Sequence, residues 1–371
     1  MKIVIAAAGT GGHINPGIAI ANKIMKEEPN SKIIFIGTPR GLEINLVPRA
    51  GYELKTIDSY GISRELSLKN IKRLAKTLHS ITEAKDILKD FKPDLVIGTG
   101  GYICISVCLA AKKLSIPYII HESNVLPGIA TKMLSKKAQK ILVGFKEAED
   151  RLPKVKNIVY TGTPTKVKKL NFTELEINCK KRELGFSEDK PLVLVFGGSQ
   201  GAQSINTSMT NIIKKQMNSN YQIIWAAGPE QYEKVEQELK NVNMDIDKLK
   251  GIRVMPYIYN MEEIMNIVDL VVSRSGAMTV TEIENVGKPA IFIPFPFAAE
   301  NHQEYNARAL EKNKAAKVIL DKNLTAEALN ATITQLTKDK EILEQMGDNA
   351  HKMSTQNVED KIYKEIKSLK I

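Results

Sequence analysis

Short apolar runs recur along the chain with longer amphipathic segments between them, and the runs are continuous rather than alternating. Ile3 to Ala8, Ile33 to Ile36, Leu95 to Ile97, Tyr118 to Ile120 and Ile141 to Val143 read as strands. Continuous Val/Ile/Leu runs are what strands buried on both faces require, so they predict a parallel sheet with helical crossovers. The pattern then restarts with Leu192 to Phe196, Gln222 to Ala226, Ile252 to Met255, Leu270 to Val272 and Ala290 to Ile293. Two series predict an α/β protein of two doubly wound, Rossmann-like parallel-sheet domains. The join falls between Thr161 and Glu188 and is placed near residue 164, giving domains 1–163 and 164–371. Beyond Lys340 the chain is helical and polar with Leu343, Met346, Ile362, Ile366 and Leu369 as apolar positions, and its last helix is a candidate to return across the first domain.

The length supports this division, because 371 residues exceed the roughly 250–300 at which single cores stop growing. A composition that is 43% hydrophobic and 26% charged argues against a mainly disordered or low-complexity chain. Cys104, Cys108 and Cys179 are too few and scattered for a disulfide framework, which points to a reducing, cytoplasmic setting. Apolar stretches such as Ile103 to Ala111 fall short of the roughly 20 residues that cross a bilayer, so no transmembrane helix is expected. The N-terminal apolar run ends at Gly9 and reads as a first strand, not a signal peptide.

Charge separates the halves. Residues 1–163 hold 25 Lys and Arg against 14 Asp and Glu, whereas residues 164–371 hold 28 against 28. All of the excess, +11, lies in the first half and calls for an anionic partner: nucleic acid, a phosphorylated substrate or an anionic membrane leaflet. Aromatic residues make up only 6% of the chain and do not interleave with the basic stretches, which disfavours single-strand nucleic-acid binding. From Leu66 to Leu88, Leu68, Ile71, Leu74, Leu78 and Ile81 fall at helical spacing among Lys69, Lys72, Arg73 and Lys76. Such a basic amphipathic helix can lie on a membrane surface, or simply pack its stripe on its own domain.

Three glycine-rich turns follow predicted strands: Gly9-Thr10-Gly11-Gly12, Gly98-Thr99-Gly100-Gly101 and Gly197-Gly198-Ser199-Gln200-Gly201. Without a Cβ the backbone approaches a ligand closely, and the following helix N-terminus suits a phosphate. After the first turn, Asn15 is expected to cap and Pro16 to open a helix. Neither the Walker A spacing nor the dinucleotide fingerprint is present; from Gly9 the third glycine of the latter would fall at Ile14. The five histidines show no His-Glu-x-x-His spacing, and Cys104 and Cys108 lack a second ligand pair, so no zinc site is expected. Asp245-Ile246-Asp247 has a metal-diphosphate form but lies in a Lys-rich polar stretch and reads as solvated surface.

His13 follows the first glycine turn at the carboxyl end of a strand, where doubly wound sheets bind ligands, and is either a base or a local backbone cap. Ser273 to Glu282 should open a helix capped by Ser275, its free amides facing a phosphate. Glu282, about two turns and roughly 10 Å along, is either a ribose ligand or an ordinary surface glutamate.

These residues resemble the MurG family of bacterial peptidoglycan N-acetylglucosaminyltransferases, GT-B enzymes of glycosyltransferase family 28. The resemblance rests on Gly9 to Pro16, Gly98 to Tyr102, His121 to Asn124, Gly197 to Ala202, Arg274 to Glu282, and Glu300 to Gln303 before Asn306, in order over almost the whole chain. It implies two domains facing a central cleft and inverting transfer of GlcNAc from UDP-GlcNAc to the C4 hydroxyl of the muramoyl sugar in undecaprenyl-pyrophosphoryl-MurNAc-pentapeptide, giving lipid II. By the same resemblance Thr10, Gly11, Gly12 and Asn124 line the donor site from the first domain. Ser199 meets the diphosphate or sugar, Ile258 the uracil through its backbone, Ala277, Met278, Thr279, Val280 and Thr281 the phosphates, Glu282 the ribose and Gln303 the GlcNAc hydroxyls. Lys166 would be a further donor ligand; many relatives have Arg there, and Lys keeps the charge without the bidentate fork. His13 is the implied base, helix-end amides and positive charge stabilise the leaving UDP, and neither a metal nor another cofactor is implied. The basic first domain would rest peripherally on the anionic inner leaflet of the cell membrane. The rival readings are a UDP-GlcNAc 2-epimerase-like isomerase of the same architecture, which needs no lipid acceptor, and a non-catalytic nucleotide-sugar binding module.

Overall fold

The computed structural model describes residues 1–60, 68–152, 156–198 and 200–369, with the backbone alone over 68–78. It divides into two compact units, residues 1–165 with 355–371, and residues 166–354, against the boundary expected near 164. The first unit runs β1 (Lys2–Ala7), α1 (Gly11–Glu27), β2 (Lys32–Gly37), α2 (Glu43–Arg49), β3 (Glu53–Thr56), α3 (Leu68–Phe91), β4 (Leu95–Gly100), α4 (Ile103–Lys113), β5 (Tyr118–Glu122), α5 (Ile129–Leu134), β6 (Lys140–Val143) and β7 (Ile158–Tyr160). The second runs α6 (Glu174–Glu183), β8 (Leu192–Phe196), α7 (Gln203–Lys214), β9 (Gln222–Ala226), α8 (Tyr232–Lys240), β10 (Ile252–Met255), α9 (Met261–Ile267), β11 (Leu270–Ser273), α10 (Ala277–Val286), β12 (Ala290–Phe292), α11 (His302–Lys312), β13 (Ala316–Val318), α12 (Ala326–Thr337) and α13 (Lys340–Met353). The chain ends in α14 (Val358–Lys367), back on the first unit.

Both sheets are parallel throughout, in the orders β3-β2-β1-β4-β5-β6-β7 and β10-β9-β8-β11-β12-β13. Burial explains the continuous runs. On β1, Ile3 and Ile5 enter one core with Ile14, Ile18 and Ile24 of α1, while Val4 and Ala6 enter another with Val107 and Cys108 of α4. The three strands that the apolar pattern missed, β3, β7 and β13, are short edge strands. An edge is covered less completely, and β3 leaves Glu53, Lys55 and Thr56 exposed, so it carries no apolar run.

Strand order reverses where β1 meets β4 and where β8 meets β11. Helices leave toward opposite faces at such a switch point and open a crevice beyond the carboxyl ends of the strands. The glycine turns after β1, β4 and β8, and the segment after β11, all lie at these two places.

The helix predicted from Leu66 continues to Phe91. Leu66 lies outside the described residues, as do the side chains of Leu68, Ile71, Leu74 and Leu78 with their intervening basic residues; further along, Ile81, Ala84 and Leu88 are buried in the core shared with α4. No helix among the described residues is long and apolar enough to cross a membrane. The terminal helix α14 buries Val358, Ile362 and Ile366 in the α1-side core, with Lys23–Asp360 at 2.5 Å and Lys367–Glu28 at 2.7 Å at its margins. Surface pairs of this kind contribute little, so the apolar face carries the docking. Ile366 is fully buried, and Ile366→Ala should cost the first unit about 2–5 kcal/mol in urea unfolding; an unchanged midpoint would show that α14 contributes nothing to that core.

Candidate active site

At the first switch point, the N–H groups of His13 and Ile14 both close on the Thr10 carbonyl, at 3.0 and 3.2 Å. That starts α1 at Gly11 with Thr10 as its N-cap, ahead of the expected Asn15 cap, and leaves Pro16 inside the helix. Pro16 withholds the amide that the Gly12 carbonyl would otherwise receive. Thr10 is exposed, Gly11 and Gly12 are half-buried, and no side chain caps the helix. The turn itself is anchored by a residue with no sequence signal: the carboxylate of fully buried Glu43 accepts from Gly9 N–H at 2.9 Å and from both the amide and hydroxyl of Thr38.

His13 is partly buried beneath this turn, with Nδ1 3.1 Å from the Ala8 carbonyl oxygen. A carbonyl only accepts, so Nδ1 carries the hydrogen and, in the neutral ring, Nε2 holds the basic lone pair. The second glycine turn serves the same residue. A Cβ on Gly100 would lie 2.3 Å from His13 Cδ2, and one on Gly101 would lie 2.8 Å from the Ala8 carbonyl oxygen. Gly100 and Gly101 therefore form a flat platform for the imidazole.

Asn124 lies in the loop after β5, which is shaped by buried Glu122. Its carboxylate accepts from Asn124 N and Nδ2 at 3.0 Å each, Gly128 N at 2.9 Å and Thr131 Oγ1 at 2.6 Å. His121 is buried, donating from Nε2 to the Gly162 carbonyl at 3.1 Å, with the Ser123 hydroxyl 3.3 Å from Nδ1. Burial disfavours the imidazolium and pushes the His121 pKa below its ordinary value.

In the second unit, Ser199 lies outside the described residues. The turn around it is packed backbone on backbone: a Cβ on Gly201 would meet the Ala227 carbonyl oxygen at 2.1 Å, and one on Gly228 the Gln200 carbonyl oxygen at 2.5 Å. The predicted Ser275 cap is not formed. Its hydroxyl donates instead to the Gln303 carbonyl at 2.8 Å, and Gly276 becomes the N-cap of α10. Val280 N–H bonds the Gly276 carbonyl at 3.0 Å and Thr281 follows inside the helix, so the amides at the tip are those of Ala277, Met278 and Thr279. Half-buried Glu282 sits six residues beyond Gly276, about 9 Å along the axis.

Gln303 opens α11 with its Oε1 accepting from Phe295 N–H at 3.0 Å, which leaves the side-chain amide as a donor group. Asn306 Nδ2 donates to the Ser275 carbonyl at 3.1 Å, fixing α11 against the α10 tip. Arg274 is buried and structural: it bonds the carbonyls of Ile293 and Pro294, the Ser204 hydroxyl and the Asp321 carboxylate. Ile258 is buried between exposed Tyr257 and Tyr259, whose rings meet edge-on at 5.0 Å. Lys166 is exposed at the start of the second unit. Asp245 and Asp247 are both exposed; Asp245 accepts from Asp247 N–H and pairs with Lys248, forming a local surface turn.

Thr173, Thr325 and Asp339 cap α6, α12 and α13 with their side chains. The helices at the switch points, α1, α4, α7 and α10, begin after Thr10, Tyr102, Ala202 and Gly276 with no side-chain cap, as do α2, α5, α8, α9, α11 and α14 elsewhere, so their first amides stay open to another acceptor.

Comparison with known proteins extends over both units. Residues 3–143 match the glycosyltransferase family 28 N-terminal domain and residues 192–362 the glycosyltransferase family 28 C-terminal domain. The UDP-N-acetylglucosamine--N-acetylmuramyl-(pentapeptide) pyrophosphoryl-undecaprenol N-acetylglucosamine transferase of Acetivibrio thermocellus is 42% identical over 370 residues, covering 100% of this chain and 98% of that one. The crystal structure of Acinetobacter baumannii MurG superposes with a TM-score of 0.76 at 27% identity, covering 99% of this chain and 100% of that one. UDP-GlcNAc 2-epimerase from Neisseria meningitidis, solved bound to UDP-GlcNAc, has a TM-score of 0.66 at 15% identity over 99% of this chain and 100% of that one, a likeness of fold alone.

Because folded His121 resists protonation, the unfolded chain takes up a proton that the native chain refuses once pH falls below about 6.5. Stability should therefore decline as pH drops below that value. The urea midpoint between pH 7.5 and 5.5 should fall less in His121→Gln than in the parent, and equal falls would remove His121 as a source of the acid sensitivity.

Proposed function

The chain belongs to glycosyltransferase family 28, within its MurG branch, and on that premise we propose the chemistry of its site as an inverting N-acetylglucosaminyltransferase. It moves GlcNAc from UDP-GlcNAc to the C4 hydroxyl of MurNAc in undecaprenyl-pyrophosphoryl-MurNAc-pentapeptide, converting lipid I to lipid II in peptidoglycan synthesis. The observation that carries this reading is full-length relatedness, in both units, to a transferase of that name. The epimerase alternative has only a shared fold behind it.

In the proposed mechanism His13 keeps the Nδ1 hydrogen on the Ala8 carbonyl and takes the acceptor hydroxyl proton at Nε2. The hydroxyl oxygen forms its bond to the anomeric carbon from the face opposite UDP while the bond from that carbon to the diphosphate oxygen breaks. Negative charge grows on the departing diphosphate, and the tip amides of Ala277, Met278 and Thr279 are fixed donors that need no rearrangement to receive it. Glu282 accepts from the ribose hydroxyls, and the Gln303 side-chain NH2 donates to the GlcNAc hydroxyls while Oε1 accepts from Phe295 N–H. Thr10, Gly11, Gly12, Asn124, Lys166, Ser199 and the Ile258 backbone complete the proposed donor set. The chemistry calls for no further cofactor.

We assign the first unit to the anionic inner leaflet and the diphosphate-bearing acceptor. Its charge excess supports this, as does Met133, 58% exposed among Lys132, Lys136 and Lys137. The resulting localisation is peripheral, on the cytoplasmic face of the membrane.

Incubation with UDP-GlcNAc in EDTA, with and without undecaprenyl-pyrophosphoryl-MurNAc-pentapeptide, should give acceptor-dependent UDP release and a lipid product heavier by one HexNAc. Conversion of UDP-GlcNAc to its C2 epimer without acceptor would replace the transferase reading with the isomerase one. His13→Ala should lower turnover by about 10²–10⁴ with donor affinity intact; parental turnover would end its assignment as base. Acidic substitutions at Leu74 and Leu78 should weaken binding to anionic vesicles while sparing turnover of a short-chain soluble acceptor, and vesicle binding equal to the parent would count against a membrane role for α3.

A further inference from the structure

The pairing of β1 with β4 contains an irregularity beside His13. Ala6 is opposite Gly98, but Ala7 is opposite Gly100, so Thr99 is an extra residue in β4. Bulges of this kind bend a strand and re-aim the residues beyond them. Next along β4 is the Gly100–Gly101 platform, in which both residues have positive φ, +133° and +83°, as a Cβ-free surface under the imidazole permits. The extra residue is itself tied to His13. Buried Thr99 donates from Oγ1 to the His13 carbonyl at 2.8 Å, with the Ala6 carbonyl 3.5 Å away.

Cys104 closes the arrangement from beneath. Its thiol is buried, lies 3.3 Å from the Ala6 carbonyl and 3.2 Å from the Gly100 carbonyl, and has Gly100 N–H at 3.3 Å. The end of β1 that supplies the Ala8 carbonyl, the platform and the first turn of α1 are thereby held together by two side chains that do not reach the reacting atoms.

We infer that Thr99 is a positioning residue for His13: its hydroxyl, at the bulge of β4, locks the first turn of α1 against the glycine platform so that Nδ1 stays on Ala8 and Nε2 keeps the basic lone pair. Cys104 supports the platform in the same cause. The inference rests on the reading of His13 as base.

Thr99→Val keeps the shape and removes the hydroxyl. It should lower kcat about ten- to a hundredfold, the scale of a small misplacement, with KM for UDP-GlcNAc unchanged. Thr99→Ser should restore parental kcat, and Thr99→Ala carries the same expectation as Thr99→Val should that variant fold poorly. The deciding comparison is the double variant. If Thr99 acts through His13, adding Thr99→Val or Thr99→Ala to His13→Ala should cost nothing further. In ¹⁵N spectra, with the His13 signal assigned by its absence from His13→Ala, the parent should show the Nδ1–H tautomer and the hydroxyl-less variants a mixture. Parental kcat in those variants, or an equal loss with His13 absent, would overturn the positioning role while leaving His13 as base. Parental turnover in His13→Ala would instead remove the base, and the inference with it.

Discussion

Backbone crowding at the two switch points is the constraint on which the rest of the molecule depends. At Gly100 and Gly101 there is no room for a Cβ because the His13 ring and the Ala8 carbonyl occupy the space; at Gly201 and Gly228 the facing backbone occupies it. Parallel strands bring these turns to the same end of each sheet, and reversal of strand order opens a crevice at the switch point of each. Polar groups that would otherwise be costly there are handled in two ways. Glu43 and Glu122 are buried carboxylates surrounded by donors, whereas the first amides of α1, α7 and α10 are left without side-chain caps. The first device makes the loops rigid, and the second makes them useful to an anion.

Much of the architecture was legible because two-sided burial writes itself as uninterrupted apolar runs. The interior strands of both sheets carry that signature, while the edge strands β3, β7 and β13 do not. The glycine turns were legible as turns, but the division of labour among them was not. Gly98 to Gly101 reads like a ligand loop, yet Gly100 and Gly101 support an imidazole 87 or more positions earlier in the chain. Glu43 and Gly9 are likewise distant in sequence and joined only by the fold.

Local capping rules failed where a nonlocal partner competed. Ser275 has the right chemistry and position for an N-cap, but the Gln303 carbonyl takes its hydroxyl. Asn15 and Pro16 carry a helix-start signal, but the Thr10 carbonyl receives two amides before the chain reaches them. Both failures fall at switch points, where the turns from two strands crowd together. Arg274 shows nonlocal competition for a charge: it stands beside the α10 tip, and its guanidinium is consumed by the Ile293 and Pro294 carbonyls and Asp321.

The placement of α14 makes the second unit an insertion within the first, since residues 166–354 intervene between the two parts of one core. During synthesis the α1-side core therefore lacks Val358, Ile362 and Ile366 until residues 166–354 have been made. At about 5–20 residues per second, translation of the insertion alone takes roughly ten seconds or more. For that interval the nascent first unit exposes an apolar face that its own last helix will cover, and the second unit has time to fold before the first is complete.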